Sequence, residues 1–503
     1  MITKILSGGL LGIDGCQVTV EVDITQGIPA MEIVGLPDSS IKESKERVRS
    51  ALKNSGFSFP QKRITINLAP ANTRKEGSYF DLPIAMGILV QMGKIQSFAA
   101  NNTFFAGELS LDGQIRHVTG ILPMVHFCSL NGINKFIVPA ENYEEASLIA
   151  DIEVIGVNHL RQLADYLNGG DPPRINLEES PGEEAEYQDF EDIKGQVNVI
   201  RALTVAATGG HNILMIGPPG SGKTMMAKRI PSILPGLTLE ESITTTKIYS
   251  VAGYLKNRNV LIKNRPFRSP HHTISYAALV GGGRLIRPGE ISLAHNGVLF
   301  LDELPEFNRN VLEVLRQPLE EKEVHISRAA GNVTYPANFM LVTSMNPCPC
   351  GYYSVGDKCT CTPTQISRYI SKISGPLLDR IDIHIEVNRL DYSSLGAGKA
   401  GATSRELKEK VHTARDIQAR RYKSEKTNAL LTAKEIESYC SLSAEGKALL
   451  EQIFDTLDLS ARAYHKILKI ARTIADLESR EDISLVHLTE AIGYRSLDRK
   501  YFS

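Results

Sequence analysis

The sequence predicts a multidomain protein of mixed α/β class, built from three parts. Its 503 residues suffice for about three domains at roughly 100–200 residues each. Two stretches of chain-breaking or small residues divide the chain: Asn168-Gly-Gly-Asp-Pro-Pro173, and residues 393–404, which are rich in Ser, Gly and Ala. Strand-like and helical patterns alternate before the second break, whereas a helical period dominates after it. These breaks predict domains at 1–168, 192–392 and 403–503.

The segment between the first two parts, residues 169–191, is predicted to be an acidic linker. Eight acidic residues and no basic ones lie between Leu177 and Asp192. Such a run is typical of a solvated connection, because like charges repel one another and leave little apolar surface to bury.

The composition argues against several classes of protein. The formal net charge is −1, so there is no global attraction to nucleic acid or to anionic membranes, and any DNA contact requires local basic patches. No apolar run reaches the ~20 residues that span a bilayer, and the N-terminus lacks the pattern of a signal peptide. Seven cysteines in 503 residues do not indicate a disulfide scaffold. We therefore expect a cytoplasmic protein.

The first and third parts differ in their periodicity. The first combines strand-like runs with helical ones, which indicates an α/β or α+β domain; the strands are predicted at 18–24, 63–68 and 135–138, and the helices at 38–55 and 81–92. The third part has few Gly or Pro residues and is predicted to be a small helical bundle. Its helices are predicted at 405–423, 433–439, 444–457, 461–477 and 485–494.

The central part contains a complete phosphate-binding loop. An apolar run at 212–216 leads into Gly217-Pro-Pro-Gly-Ser-Gly-Lys-Thr224, which matches G-x-x-x-x-G-K-[ST] in full. In this motif backbone N–H groups and a helix N-terminus bind phosphates, the lysine reaches the β- and γ-phosphates, and the Ser/Thr hydroxyl binds Mg²⁺. We therefore predict an ATP and Mg²⁺ site whose nucleotide-binding residues are Gly217, Pro218, Pro219, Gly220, Ser221, Gly222, Lys223 and Thr224. The alternative is a glycine-rich turn that binds no ligand.

Two further apolar runs end in polar residues that suit the same site. Residues 296–303 end in two acids, of which Asp302 is predicted to hold Mg²⁺ together with Thr224, and Glu303 to polarise the attacking water. The alternative is that the acids cap the next helix. Residues 339–346 end at Asn346, which is predicted to orient that water, although asparagine after a strand is otherwise a turn former.

Four of the cysteines lie close together in the sequence. Cys348, Cys350, Cys359 and Cys361 follow the pattern C-x-C-x8-C-x-C within fourteen residues. In a reducing cytoplasm, four thiolates in tetrahedral reach predict a structural Zn²⁺. Free thiols or a redox pair are the alternatives, because C-x-C pairs are less common in zinc sites than C-x2-C pairs. Nothing in the pattern supplies the open fourth position of a catalytic zinc.

Several segments of the central part together resemble a known family. They are the P-loop and residues 192–196 (DIKGQ), 300–303 (FLDE), 343–346 (TSMN) and 374–382 (SGPLLDRID). These segments resemble AAA+ ATPases of the magnesium-chelatase-like group, and the order and content of all three parts are most similar to the ComM/YifB family. The resemblance implies a central AAA+ P-loop α/β domain, followed by a C-terminal helical lid.

The same resemblance implies roles for two arginines. Arg380 matches the arginine finger that a subunit supplies to the γ-phosphate of its neighbour, a task suited to the several donors of a guanidinium. Its alternative is an ion pair with Asp379 or Asp382. Arg462 matches a sensor arginine at the start of a lid helix, with an ordinary surface arginine as the alternative. A finger that acts in trans implies a homo-oligomer, which we expect to be a hexameric ring.

The first part resembles the peptidase-type domain of Lon proteases, within the ribosomal-S5-like α+β fold. The resemblance rests on residues 74–86 and 106–116. At the position of the Lon serine the chain has Tyr79, with Ser78 one residue away, and at that of the lysine base it has Leu122. Without a nucleophile and its base, covalent peptide hydrolysis has no route. We therefore expect a binding or ring-building module without peptidase activity.

Three groups of basic residues are candidates for contact with DNA. Segments 265–272 and 281–287 lie between the two ATP motifs, and residues 325–335 are predicted to form a β-hairpin. In related AAA+ rings such insertions point to the central channel, where basic groups bind phosphates; the alternative is a structural role at a subunit interface. The third candidate is a basic rim on the first part, as opposed to an ordinary solvated face, and its members are Lys62, Arg63, Arg74 and Lys75.

These features predict a ring-forming AAA+ ATPase that processes DNA, as a helicase or branch-migration motor in recombination or natural transformation. A first alternative is a chelatase-type ATPase that remodels a protein partner for metal insertion, although a Lon-like first domain is not expected there. A second alternative is an ATP-dependent protease, which needs the dyad that the first part lacks.

Overall fold

Two sheets with separate hydrophobic cores and a set of C-terminal helices make up the protein. The computed structural model describes residues 2–72, 74–96, 102–175, 187–255, 261–283, 286–328, 331–353, 358–389, 401–456, 460–497 and 501. Residues 176–186 of the predicted acidic linker and residues 393–400 of the predicted break at 393–404 lie outside the described residues.

The first sheet is mixed, as the predicted α+β class requires. Its part of the chain contains strands β1 Thr3–Leu11, β2 Asp14–Thr25, β3 Ala30–Val34, β4 Arg63–Ala69, β5 Thr103–Phe105, β6 Glu108–Leu109, β7 Ile115–Arg116, β8 Lys135–Pro139 and β9 Glu153–Val157, and helices α1 Ser39–Asn54, α2 Asp81–Gln91, α3 Ile121–Leu130, α4 Tyr143–Ala146 and α5 Leu160–Leu167. The seven-stranded sheet has the order β3-β4-β2-β1-β5-β8-β9. Strand β2 is antiparallel to β1 and β4, and the other neighbours are parallel.

Alternation of apolar residues explains how this sheet is covered. Val18, Val20 and Val22 of β2 are at most 2% exposed, and residues two apart in a strand share one face. Helix α2 packs on β1 and β2 and is buried throughout from Asp81 to Leu89. A helix that is apolar all round belongs in the interior, so α2 forms the centre of the first core.

The second sheet is entirely parallel and carries the P-loop. Its part of the chain contains strands β10 Ile213–Ile216, β11 Phe267–Arg268, β12 Gly281–Gly282, β13 Arg287–Pro288, β14 Val298–Leu301, β15 Glu323–Arg328, β16 Gly331–Pro336, β17 Met340–Met345 and β18 Ile383–Glu386, and helices α6 Val197–Gly209, α7 Lys223–Ile233, α8 Leu239–Ala252, α9 Tyr276–Val280, α10 Glu290–Leu293, α11 Arg309–Glu313, α12 Arg316–Glu321, α13 Pro363–Ile370 and α14 Gly375–Leu378. Five strands pair in the order β11-β14-β17-β10-β18. The predicted hairpin is present as the antiparallel pair β15–β16.

The three motif-bearing strands of this sheet are its middle ones. Every residue of β10, β14 and β17 is buried, as expected for parallel strands with helices on both faces. Because the strands are parallel neighbours, their carboxyl ends lie at one edge of the sheet. The P-loop, the acids at 302–303 and Asn346 therefore emerge side by side.

The C-terminal helices pack on the central part rather than forming a core of their own. They are α15 Ser404–Tyr422, α16 Ala433–Tyr439, α17 Ala444–Thr456, α18 Ala461–Leu477 and α19 Leu485–Gly493, close to the five predicted helices. Buried residues of α18, such as Ile470 and Ile474, belong to the same hydrophobic cluster as Val205 and Ala206 of α6. The bundle and the parallel sheet thus share one core.

The end of the predicted linker is packed against the rest of the protein. Phe190 is fully buried, and its backbone N–H donates to Ser404 Oγ at 2.9 Å. The Nε of Arg229 donates to the carbonyl of Asp189 at 2.6 Å. Large apolar side chains are usually buried even where their sequence neighbours are solvated, so this end of the predicted linker is packed.

Helix α8 connects the first part to the ATP-binding part. It packs against α3 of the first part. Lys247 Nζ lies 2.5 Å from Asp14 Oδ1, and Ser250 Oγ donates to Glu145 Oε1 at 2.5 Å. Within the described ranges, no helix is both long and apolar enough to cross a bilayer.

Candidate nucleotide site and cysteine cluster

The P-loop joins β10 to α7 and is closely packed at its start. A Cβ atom on Gly217 would lie 2.2 Å from the carbonyl oxygen of Val387, so no larger residue fits there without moving the chain. The N–H of Gly217 donates to the carbonyl of Met345 at 3.2 Å. Helix α7 begins at Lys223, which directs its N-terminal N–H groups and positive dipole toward the loop.

Lys223 lies at the mouth of this loop. Its side chain is 8% exposed, and Nζ donates to the carbonyls of Gly217 at 2.7 Å and Pro218 at 3.0 Å. A third acceptor is Asn346 Oδ1 at 3.3 Å. Burial lowers the pKa of Lys223 to about 8, and the charges of Asp302 and Glu303 oppose that shift. The predicted lysine and the predicted third-strand asparagine are therefore in direct contact.

Asp302 is held by two hydroxyl groups. Thr224 Oγ1 donates to its Oδ2 at 2.6 Å, and Ser344 Oγ donates to its Oδ1. A hydroxyl and a carboxylate at hydrogen-bond distance form the oxygen pair that Mg²⁺ uses in P-loop sites. Ser344, in the middle of the segment 343–346, was not singled out in the sequence, because a buried serine in a strand has no local signal for such a role.

Glu303 has a backbone conformation that is unusual for its residue type. Its φ is +54°, in the left-handed region that non-glycine residues seldom adopt and that clusters at functional sites. Its backbone N–H donates to Asp302 Oδ1 at 3.1 Å. The side chain is 54% exposed, and its Oε2 lies 4.0 Å from Nδ1 of His272. The carboxylate of Glu303 is thus open to solvent, where it can reach a water molecule.

His272 was predicted only as part of a candidate DNA-contacting segment. Besides its approach to Glu303, its ring lies 6.4 Å from that of Phe307 in an edge-on arrangement and 4.1 Å from that of His271. The structure therefore places this histidine beside the predicted ATP site. No sequence signal marks that position, because 31 residues separate it from Glu303 and only the parallel pairing of β11 with β14 brings them together.

Arg380 contacts neither of the acids that were considered as its ion-pair partners. Its Nη2 donates to Glu320 Oε1 at 2.5 Å, and its other nitrogens donate to the carbonyls of Arg316 and Pro376. Asp382 instead accepts from the N–H of Asn212 at 3.1 Å and pairs with Lys466 at 3.2 Å. The alternative with Asp379 or Asp382 is therefore wrong: the guanidinium is 12% exposed and satisfied within its own chain by Glu320.

Arg462 lies in the first turn of α18 and is exposed. Ser460 caps this helix by accepting from the N–H of Ala463. Among the described residues, no hydrogen bond or ion pair joins Arg462 to the P-loop. Its predicted sensor role stays a prediction.

The four cysteines come together in space. Their sulfur atoms all lie within 4.8 Å of one another, with Cys348 3.3 Å from Cys350 and 3.8 Å from Cys359, and Cys350 3.7 Å from Cys359. Four thiolates about 2.3 Å from a tetrahedral zinc are separated by about 3.8 Å. A hydrogen bond from the backbone of Tyr352 lowers the pKa of Cys350 to about 6. The donor set and its spacing therefore fit Zn²⁺.

The residues that the resemblance aligns with the Lon-type dyad have partners of their own in the first part. Leu122 is fully buried, and its backbone N–H donates to Glu145 Oε1 at 3.0 Å. Tyr79 is buried among apolar groups, which raises the pKa of its phenol. The hydroxyl of Ser78 donates to a carboxylate oxygen of Glu108. With leucine at the position that the resemblance assigns to the lysine base, the absence of peptidase activity stays a prediction.

Three of the residues considered for a basic rim on the first part have partners within the chain. Lys75 is 3% exposed, and its Nζ donates to the carbonyl of Pro70. Arg63 pairs with Glu32 at 3.1 Å and Arg74 with Glu76 at 3.3 Å. One candidate is therefore buried and two are paired with acids, which favours the alternative of an ordinary solvated face.

The two insertions between the ATP motifs are also partly neutralised. Arg265 pairs with Glu241 at 3.0 Å, and Arg268 makes two 2.6 Å hydrogen bonds to Glu290. Arg287 remains exposed. Arg284, in the same segment, lies outside the described residues.

Comparison with known proteins agrees with this arrangement along nearly the whole chain. The family described as Magnesium chelatase, subunit ChlI, matches residues 189–395. Two related families match on either side: Subunit ChlI of Mg-chelatase at 20–142, and Magnesium chelatase, subunit ChlI C-terminal, at 401–495. The central match spans all the residues of the nucleotide site and the cysteine cluster.

Full-length relatives decide the family. Competence protein ComM of Haemophilus influenzae is 45% identical over 502 residues, covering 98% of this chain and 97% of its own. The chain belongs to the ComM/YifB family. The protein YifB of Escherichia coli is 42% identical over 490 residues, covering 97% and 96%. As a member of the ComM/YifB family, the protein is an AAA+ ATPase of the magnesium-chelatase-like group.

A partial likeness concerns Lon. Lon protease 2 of Bacillus subtilis is 30% identical over 173 residues, which is 32% of this chain and 30% of its own. A likeness of this extent accords with the resemblance seen in the first part of this ComM/YifB protein.

Proposed function

We propose that this ComM/YifB protein is a ring-forming ATPase that moves DNA strands, as a helicase or branch-migration motor in recombination or natural transformation. One observation carries the proposal: the chain is 45% identical to a competence protein over 98% of its length. The contacts of Lys223 with Asn346 and of Thr224 with Asp302 at one sheet edge support it. The cysteine cluster holds a structural Zn²⁺ in this proposal.

The proposed chemistry uses the side chains at that edge. Lys223 binds the β- and γ-phosphates, and Thr224 and Asp302 hold Mg²⁺. Glu303, with its carboxylate free of Asp302, polarises the attacking water, and Asn346 orients it beside the lysine.

The proposed ring is inferred from Arg380, which in this proposal contacts the ATP bound by the neighbouring subunit. In its own chain this arginine is bound to Glu320, so assembly exchanges one carboxylate partner for the γ-phosphate of the adjacent site. The guanidinium of Arg380 stays positively charged throughout this exchange, because its planar set of donors binds carboxylates and phosphates alike. A hexamer is the proposed ring size, and Arg462 acts as the lid sensor.

The proposed DNA contacts lie at exposed positions of the central part. Arg287 is exposed, and the hairpin β15–β16 projects His325 and Ser327 with exposed side chains. The first part takes no peptidase role in the proposal, because Leu122 occupies the position of the base. It serves as a binding or ring-building module.

ATP turnover on defined DNA tests the proposal. Phosphate release by the full chain is measured at low salt without DNA, with linear duplex and with forked DNA, and strand displacement is followed on the same fork. Forked DNA is expected to raise turnover of the wild type, with a stimulation that weakens as salt is added. Glu303→Gln is expected to bind ATP and DNA but to lose about 100-fold or more in turnover. An ATPase rate that forked DNA leaves unchanged at low salt would overturn the DNA motor and favour a protein-remodelling ATPase.

A further inference from the structure

The cysteine cluster touches the P-loop through a single glycine. Gly351 directly follows Cys350, is buried and has φ +84°. A Cβ atom on it would lie 2.5 Å from Cδ and 2.7 Å from Cγ of Pro219. Such distances do not occur between real side chains, so the backbone of Gly351 packs directly on the second proline of the P-loop.

The cluster itself holds Gly351 in this position. The N–H of Gly351 donates to the carbonyl of Cys348 at 2.9 Å. Two residues further, the N–H of Tyr353 donates to Cys348 Sγ at 3.3 Å. The chain therefore wraps around one sulfur atom, and the contact residue lies inside the turn.

Tyr353, at the end of this turn, is connected through Tyr501 to β18, a strand beside the P-loop. The ring of Tyr353 lies 6.2 Å from that of Tyr501, and the hydroxyl of Tyr501 donates to Glu386 Oε1 at 3.0 Å. Glu386 is the last residue of β18, and the residue after it, Val387, is the one whose carbonyl lies against Gly217. Two series of contacts thus connect the cysteine cluster with the P-loop. One ends at Pro219 and the other ends at Gly217.

Regular secondary structure does not support this turn. Residues 346–353 form no helix and no strand, so few backbone hydrogen bonds hold their shape. Four sulfur atoms within 4.8 Å of one another are close enough to bind a single metal ion. A metal ion bound by all four converts the same arrangement into a rigid cross-link.

We propose that the metal in the cysteine cluster braces the P-loop, so that losing the metal weakens ATP binding although every ATP-contacting residue remains. The inference rests on the zinc and nucleotide sites of the proposed function and adds a dependence of one on the other. The brace pre-organises Pro219 and the loop around it, and preorganisation acts on affinity. The KM for ATP therefore rises on metal loss, while turnover at saturating ATP changes little.

The test measures zinc content and nucleotide affinity on the full-length protein. Zinc is removed under reducing conditions with a zinc-selective chelator and then restored, with zinc measured by atomic emission and affinity by anisotropy of a fluorescent ATP analogue. Affinity is expected to fall about tenfold and to recover with zinc. The recovery separates the brace from irreversible unfolding.

Two glycine variants isolate the contact from the metal. Gly351→Ala places a methyl group against Pro219 and is expected to retain zinc but to bind the ATP analogue about tenfold more weakly. Gly132→Ala is the matched control, because Gly132 also has a positive φ (+68°) but has nothing within 4 Å of its Cβ position. It carries the same backbone strain and is expected to bind ATP normally.

Two results would overturn the brace: wild-type affinity in zinc-free protein, or a Gly351→Ala variant that binds ATP as Gly132→Ala does. Neither result bears on DNA, since nucleotide affinity is measured without it. Conversely, zinc-dependent ATP binding in a protein that forked DNA fails to stimulate would support the brace and overturn the DNA motor alone.

Discussion

The hydroxyl of Thr224 donates a hydrogen bond to the carboxylate of Asp302 across 2.6 Å. These residues are 78 positions apart, one at the start of α7 and the other at the end of β14. In the parallel sheet, β17 lies between β10, which leads into the P-loop, and β14. Ser344 of β17 also donates a hydrogen bond to the carboxylate of Asp302. The fold itself therefore brings together the hydroxyl and the carboxylate that are proposed to bind Mg²⁺.

Thr224→Ala is expected to raise the Mg²⁺ concentration that gives half-maximal ATP turnover. The variant lacks one of the two protein oxygens proposed to contact the ion, and a weak Mg²⁺ site depends on each protein ligand. Turnover is measured at fixed ATP over a Mg²⁺ titration. Thr224→Ser keeps the hydroxyl and serves as the control, and a normal Mg²⁺ response in Thr224→Ala would remove the residue from the metal site.

Arg380→Ala is expected to assemble normally but to lose about 1,000-fold in turnover, the lower end of what an arginine finger contributes. Mixing reveals whether it acts in trans. Lys223→Ala subunits bind ATP poorly but supply an intact finger, so combining them with Arg380→Ala subunits should restore measurable phosphate release. Mixed rings as inactive as either variant alone would argue against action in trans.

Glu320→Gln is the companion variant for that arginine. It removes the charge that holds Arg380 within its own chain, at 2.5 Å, while retaining a hydrogen-bond acceptor. If Arg380 must leave Glu320 to act on a neighbour, turnover of this variant is at least that of the wild type. A loss as large as that of Arg380→Ala would mean that the pair works as a unit.

His295 predicts a pH dependence of stability. Burial lowers its pKa to about 4 from a usual 6.5, and its Nδ1 accepts from the N–H of Asn338 at 3.0 Å. Because the unfolded chain binds the proton more readily, stability is full above pH 6.5 and falls as the pH drops from 6.5 toward 4. At pH 5.5 the loss is about 1.4 kcal/mol, one pH unit below the unfolded value.

The asparagine variant tests this assignment. His295→Asn retains an acceptor for the same N–H but does not titrate in that range. The fall in Tm between pH 7.5 and pH 5.5 is expected to be smaller for this variant than for the wild type. Identical falls would assign the acid sensitivity to other groups.

The first core contains an ion pair whose loss is expected to be costly. Arg47 binds Asp81 through Nε at 2.7 Å and Nη2 at 3.1 Å, and Asp81 is fully buried. Asp81→Asn leaves the guanidinium without its charge partner and is expected to cost about 3 kcal/mol. Glu43 lies 3.9 Å from the same arginine but is 74% exposed, so Glu43→Gln is expected to cost less than about 1 kcal/mol. Thermal unfolding of both variants measures the difference, and equal shifts would contradict it.

Much of the nucleotide site was predictable because each piece of it is a short contiguous motif. The loop at 217–224 and the acids at 302–303 carry their chemistry in neighbouring residues, and an apolar run before each indicates a strand. Their order along the chain then implies a shared sheet edge. The five C-terminal helices were predictable for a similar reason, since a helical period is a local pattern.

The partners of these groups were not predictable in the same way. Ser344 and His272 lie beside the acids only because β14 pairs with β17 and β11, and Arg380 meets Glu320 rather than an adjacent aspartate. Phe190 lies in the core although it belongs to the predicted linker, because burying an aromatic ring is favourable.

The sequence by itself determined that a P-loop, two acids and a cysteine quartet are present, and which family the chain resembles. Tertiary structure alone decided that Lys223 meets Asn346, that Lys75 is buried rather than part of a basic rim, and that Gly351 rests on Pro219. The physical reason is that a sequence motif shows only which chemical groups the chain contains. Contacts depend on how sheets and helices pack, and that packing is set by the whole chain at once.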